Sequence, residues 1–291
     1  MDDVKLLATP ALRLPDMVVA FWGWPNAAEA ATGVVDFLRR HLDAQPFAEI
    51  TPDNFYDFSV SRPIGRTADG VLQDVTFPAC NFYSYRRPEE DRRDLVLLLG
   101  VEPNLQWDSF IGQVLDAATM AGVGRVFLIG AYFDGSPHTR PVRLTGSATN
   151  EALRDELLRV GVEATDYVGP SSIHSTIMLH CRRRDLPAMS LWGRAPHYVQ
   201  VANPNVSRAI LETLSKLIDL PLDLGELETA GAEFNRHLEE AAAQNPEIAA
   251  YIRRLEQGYD DSVVLRPLQH EDILRSVEEF LRRRPPPDEA S

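Results

Sequence analysis

Along this chain, short unbroken apolar runs alternate with stretches of helical period, and that alternation predicts the fold. Met17-Val18-Val19-Ala20-Phe21-Trp22 is apolar throughout, stops at Gly23, and reads as a first central strand. Pro25-Asn26 then leads into a helix over residues 27–42, with Val34, Val35 and Leu38 at helical spacing and Asn26 as a good N-cap. Leu95-Val96-Leu97-Leu98-Leu99, closed by Gly100, suits a parallel strand covered on both faces. A helix over 105–121 presents Phe110, Val114, Leu115 and Ala118 on one side and ends at Gly122 and Gly124. A strand over 125–132, a helix over 150–160 and a short strand over 166–168 follow. Gly169-Pro170-Ser171-Ser172 introduces a helix to about 184, followed by a strand over 186–192 and a helix over 204–218.

Two regions break this rhythm. Residues 46–90 are punctuated by Pro46, Pro52, Pro63, Pro78 and Pro88, and read as an antiparallel excursion with strands over 71–77 and 82–85. Beyond Leu224 the chain consists of helix formers over 226–258, interrupted once at Asn245-Pro246, which predicts a helical hairpin. The expected organisation is a three-layer α/β/α domain with a mainly parallel sheet over 1–221, a hairpin appendage over 222–262, and a tail over 263–291, disordered in its last ten residues.

Charge narrows the functional classes. The chain has 291 residues and a net charge of −14, and residues 221–262, with ten acids against three basic residues, hold half of it. So acidic a surface repels phosphate backbones and anionic lipid, which argues against nucleic-acid and membrane partners. No apolar run approaches the roughly 18 residues needed to span a bilayer, and Met-Asp-Asp-Val-Lys lacks the features of a secretory signal. A cytoplasmic protein is the expectation. Cys80 and Cys181 are too few for a disulfide framework and lack metal-ligand spacing, so they read as structural thiols.

Candidate chemistry gathers at strand ends, where open α/β sheets place their ligands. After the apolar run Val126-Phe127-Leu128-Ile129 comes Pro137-His138-Thr139-Arg140-Pro141, a proline-stiffened loop with one imidazole and one guanidinium. His138 can act as acid, base or donor, and Arg140 can grip a carboxylate or phosphate. Asp134 could orient either one; alternatively it pairs with Arg140 and merely pins the loop. Thr145-Gly146-Ser147-Ala148-Thr149-Asn150 enters a helix with Thr149 or Asn150 as its cap, and the free N–H groups of that helix start could also bind an anion. If the strands are parallel neighbours, Glu102 and the first turn, with Trp24 and Asn26, join His138 and Arg140 at one crevice. No G-x-S-x-G elbow, phosphate-binding loop, dinucleotide fingerprint or H-E-x-x-H motif occurs, so neither cofactor nor metal is expected.

Several segments, in order, carry a family likeness: Gly23-Trp24-Pro25-Asn26-Ala27, Phe55-Tyr56-Asp57-Phe58 with Arg62-Pro63, Gly100-Val101-Glu102-Pro103, Pro137-His138-Thr139-Arg140-Pro141, Gly146-Ser147-Ala148-Thr149-Asn150, Gly169-Pro170, and Ser190-Leu191-Trp192 with Pro196-His197-Tyr198-Val199. Over about residues 15–262 the chain resembles the proteasome assembly chaperone 2 family, in its actinobacterial-type branch. The resemblance implies a fold similar to the nucleoside phosphorylase/hydrolase class, self-association, and a non-catalytic role like that of the eukaryotic chaperones. Prokaryotic members have also carried the label of ATP-grasp-like carboxylate–amine ligases. Some archaeal members dock on proteasome rings through a terminal hydrophobic–Tyr–any tripeptide, whereas this chain ends Glu289-Ala290-Ser291.

Two functional readings follow. In one, the chain is a non-enzymatic interaction or assembly protein, a homodimer or homotrimer with a protein client, using Phe234, Leu238, Ile248, Ile252 and Leu255 as an apolar hairpin stripe. In the other, it binds or transforms an anionic metabolite or nucleoside at His138 and Arg140.

Overall fold

The apolar runs form the middle of one sheet. The structure, a computed structural model, describes residues 4–265, with side chains through 262, so the expected tail lies outside the described residues apart from its first three positions. The chain forms β1 (Val4–Leu6), β2 (Asp16–Trp22), a 3-10 turn (Ala27–Glu29), α1 (Ala30–His41) and β3 (Gln45–Ile50). The proline-punctuated excursion supplies β4 (Ile64–Ala68), β5 (Val71–Thr76) and β6 (Cys80–Tyr85), and is followed by β7 (Leu95–Val101) and α2 (Trp107–Met120). Then come β8 (Arg125–Asp134), β9 (Leu144–Ala148), α3 (Glu151–Arg159), β10 (Glu163–Ala164), α4 (Ile173–Arg183), β11 (Ala188–Pro196) and α5 (Pro204–Leu217). The last elements are α6 (Gly225–Gln244) and α7 (Pro246–Leu265).

Nine strands pair in the order β1-β3-β6-β7-β2-β8-β11-β9-β10, while β4 and β5 form a separate ribbon. The centre, β7-β2-β8-β11, is parallel, and its all-apolar segments are buried on both faces. The sheet turns antiparallel from β7 outward through β6, β3 and β1, and again between β11 and β9, so it is mixed, with its parallel character concentrated at the centre. Odd and even positions of the central strands feed opposite cores. Val18, Ala20, Phe127, Ile129, Met189 and Leu191 meet α1, α3 and α5; Met17, Val19, Phe21, Val126, Leu128 and Ala188 meet α2 and α4. This is the three-layer α/β/α arrangement.

β1, β3 and β4 form where no strand was expected, and three further local readings shift. Asn26 receives the Thr32 N–H at 3.0 Å, but across a turn in which Ala28 and Glu29 have positive φ, so α1 begins at Ala30 rather than 27. The strand expected over 166–168 forms instead at Glu163–Ala164. Leu144–Ala148, whose residues from Thr145 onward read as the entry to a helix, is strand β9, held against β11.

At the amino ends of the central strands, Asp16 is fully buried between Arg93 at 2.6 Å and Arg125 at 2.8 Å. Buried Asp94 accepts from Arg13 at 2.7 Å nearby, and this arginine together with the Arg13 and Arg87 backbone N–H groups holds its carboxyl below the usual range against the opposing effect of burial. These paired charges mark the edge opposite the strand carboxyl ends.

The described chain divides into two compact units. The larger comprises residues 4–134 and 142–234; the second gathers Gly135–Pro141 with residues 235–265. The division falls inside α6, whereas the sequence reading placed its boundary at 221/222. Among the described residues, no helix is long and apolar enough to cross a membrane.

Candidate functional site

Between β8, β11, β9 and α4, on the side of the sheet that α2 and α4 cover, the apolar core gives way to a cavity of about 690 Å³. Positions that are Val126 and Leu128 near the start of β8 become Gly130 and Tyr132 at its end, and on β11 Ala188 is followed by Ser190 and Trp192. On β9 the same alternation presents Thr145 and Ser147, with Thr149 just beyond. A Cβ at Gly130 would lie 2.4 Å from the Trp192 ring, so only glycine lets the indole lie against the backbone there. Ser147 and Ser190 hydroxyls are hydrogen-bonded at 2.8 Å, which ties β9 to β11 across the floor.

Helix α4 closes the cavity. Its two faces separate by helical spacing: Ile173, Ile177 and Cys181 enter the core, while His174, Met178 and Arg182 line the cavity. Ser172 caps the helix, accepting from His174 N at 3.3 Å. His174 is 1% exposed, and neither ring nitrogen has a hydrogen-bond partner among the described residues. Its ring lies between Trp192, with centroids 5.2 Å apart, and Phe21, at 5.9 Å. Burial among these rings lowers its pKa from 6.5 to about 3, so the imidazole is neutral at physiological pH.

Glu102 fixes the mouth. Its carboxylate accepts from the Ile173 N–H at 2.8 Å and the Trp24 N–H at 3.3 Å, joining the start of α4 to the turn after β2. Burial raises the carboxyl pKa, against the lowering effect of these two N–H groups. Gly23, at φ +116°, makes that turn against the Glu102 side chain. Trp24 is thereby held at the cavity mouth, 60% exposed.

Of the residues singled out by sequence, Trp24 and Thr149 line this cavity and Glu102 braces it. Asn26 bonds to Thr32, next to a backbone contact between Pro25 and Ala131. Asn150 caps α3 by accepting from Leu153 N at 3.0 Å, and Asp134 faces Arg194 at 3.5 Å. The loop with His138 and Arg140 belongs to the second unit. There Arg140 makes a two-pronged pair with Asp260, both bonds 2.8 Å, and approaches Glu256 at 3.4 Å; Thr139 also donates to Glu256, at 2.5 Å. Within the second unit Arg140 thus pairs with Asp260 and Glu256. Partial burial lowers the His138 pKa, opposed by Glu239 and Glu256.

Sequence reasoning passed over Tyr132, Ser190, Trp192 and His174 as site residues. The available signal was the period-two hydroxyl pattern at Thr145, Ser147 and Thr149, obscured because that segment read as the approach to a helix. Among the described residues, no group of three or more His, Cys, Asp or Glu side chains could hold a metal ion.

The fold and this cavity define an α/β/α protein with a pocket on one face of a mixed sheet. Residues 20–242 match the PAC2 family, and the chain belongs to that family. It is 36% identical to a PAC2 family protein from Streptomyces avermitilis, over 81% of this chain and 99% of that one, with a TM-score of 0.74. It is 34% identical to a Mycobacterium tuberculosis proteasome-assembly chaperone homologue, over 81% and 99% of the two chains, with a TM-score of 0.75. An uncharacterised Methanocaldococcus jannaschii protein is 22% identical over 258 residues, 86% of this chain and 89% of that one.

Proposed function

We propose that this protein works by binding other proteins rather than by turnover, as a self-associating, assembly-chaperone-like cytoplasmic protein with a protein client of the proteasome type. The observation that carries this reading is the 34% identity, over nearly the whole of that chain, to a proteasome-assembly chaperone homologue. The surface of the larger unit supports it. Every position of the β4–β5 ribbon is exposed, with Ile64 at 73%, Leu72 at 62% and Val71 at 60%. A two-stranded ribbon is marginal in isolation, and exposed apolar side chains on it favour burial against a partner. The reading does not use Arg140, whose guanidinium is engaged by carboxylates.

Light scattering on the full chain tests self-association: a mass at two or three times the 32.5 kDa of one chain is expected, and Leu72→Glu with Val71→Asp should lower it. Native electrophoresis of purified proteasome α- and β-subunits, with and without the protein, tests the client. Faster appearance of assembled rings is expected. A monomer that leaves ring assembly unchanged would overturn the proposal.

A further inference from the structure

A buried polar group without a partner costs about 1–3 kcal/mol in a folded protein, and such groups are rare unless something else satisfies them. His174, whose two ring nitrogens are unpartnered and covered from solvent, is among the residues that line a cavity of about 690 Å³, whereas a single bound water needs only a small fraction of that space. The volume falls within the roughly 300–1,000 Å³ of small-molecule sites.

The lining then selects the chemistry. No aspartate or glutamate contributes to it, and its one charged residue is Arg182, which has no ion pair among the described residues. In a chain of net charge −14, that is a locally cationic spot. A metal cation or an amine therefore finds no counter-charge among the lining residues, and the one carboxylate at the mouth, Glu102, is engaged by the Ile173 and Trp24 N–H groups. Trp192, Tyr132, Trp24 and Tyr167 supply aromatic surface, which favours a flat ring. A neutral imidazole offers one N–H and one lone pair, so it matches a ring or amide edge that both accepts and donates. Arg182 lies two helical turns beyond His174 on α4, which sets the ligand's polar edge and its anionic group at separate points of one molecule.

We propose that this cavity is a binding site for a small heteroaromatic molecule carrying one carboxylate or phosphate, with its ring among Trp192 and the tyrosines, its polar edge on His174 and its anionic group at Arg182. Nothing in the assembly reading depends on this site. Its failure would leave that reading intact, and the converse also holds.

The test is a titration of the full chain, by calorimetry and tryptophan fluorescence, with a fragment set in four classes: heteroaromatic carboxylates and phosphates, their uncharged counterparts, aliphatic carboxylates, and inorganic phosphate. The first class should bind in preference to the other three. His174→Phe, which keeps ring size, and Arg182→Gln, at an exposed position, should each weaken binding at least tenfold, with the fold checked by circular dichroism. A crystal structure of the best complex should place the ring against Trp192. Equal binding across the classes, or hits unaffected by both substitutions, would overturn the proposal. So would a crystal structure in which ordered water satisfies His174 and no fragment displaces it.

Discussion

Replacing His174 by phenylalanine should remove a defined part of the acid sensitivity of folding. In the native protein the imidazole stays neutral down to about pH 3, whereas in the unfolded chain it takes up a proton near 6.5. Between those values the unfolded state binds one more proton, so stability falls as pH falls, by about 1.4 kcal/mol per unit. Above 6.5 the contribution is complete. From about pH 7 to about pH 5 the loss integrates to about 2 kcal/mol, because proton uptake by the unfolded imidazole is nearly complete at the lower value. His174→Phe cannot take up that proton, and its ring has about the same size among Phe21 and Trp192. The assay is urea unfolding of both proteins at a series of pH values, with stabilities from linear extrapolation. The four tryptophans, Trp22, Trp24, Trp107 and Trp192, all lie in the larger unit, so their fluorescence follows the unit that contains His174. All other titrating groups contribute equally to both proteins and cancel in the difference. If the two proteins lose the same stability over this range, within about 0.5 kcal/mol, the imidazole does not titrate as its burial requires.

Three further outcomes are expected. Gly130→Ala places a methyl group 2.4 Å from the Trp192 ring; it should cost about 1–3 kcal/mol in chemical unfolding and change the tryptophan emission maximum, and an unchanged spectrum would contradict the described packing. Asp16→Ala leaves Arg93 and Arg125 facing each other without their shared buried carboxylate, at a cost of about 3 kcal/mol, the low end for broken buried pairs because both guanidinium groups retain some access to water. Cys80 and Cys181 are fully buried, and burial pushes the Cys181 thiol up to about 12 and the Cys80 thiol higher still. Neither should react with a thiol reagent in the native protein, and both should react in denaturant; labelling of the native fold would refute this.

The strand–helix alternation was legible because burial on both faces leaves an unmistakable mark: Leu95 to Leu99 and Val126 to Ile129 have no polar residue to place toward water. Element types over most of residues 17–220 follow from such local patterns, as do the caps at Asn150 and Ser172. The family likeness, too, could be read from motif order alone. Tertiary structure decided what depends on pairing. Leu144–Ala148 carries small and hydroxyl residues with no strong local preference, and it becomes a strand because β11 offers it an antiparallel edge. That one pairing turns Thr145, Ser147 and Thr149 from the approach to a helix into the floor of a cavity. Arg140 likewise looked available beside Asp134, yet its carboxylate partners are 116 and 120 residues further along the chain. His174 shows the division most plainly. Local spacing placed it on a helix, but whether its nitrogens meet water, a hydroxyl or an enclosed space depends on which residues of β2 and β11 the fold brings against it.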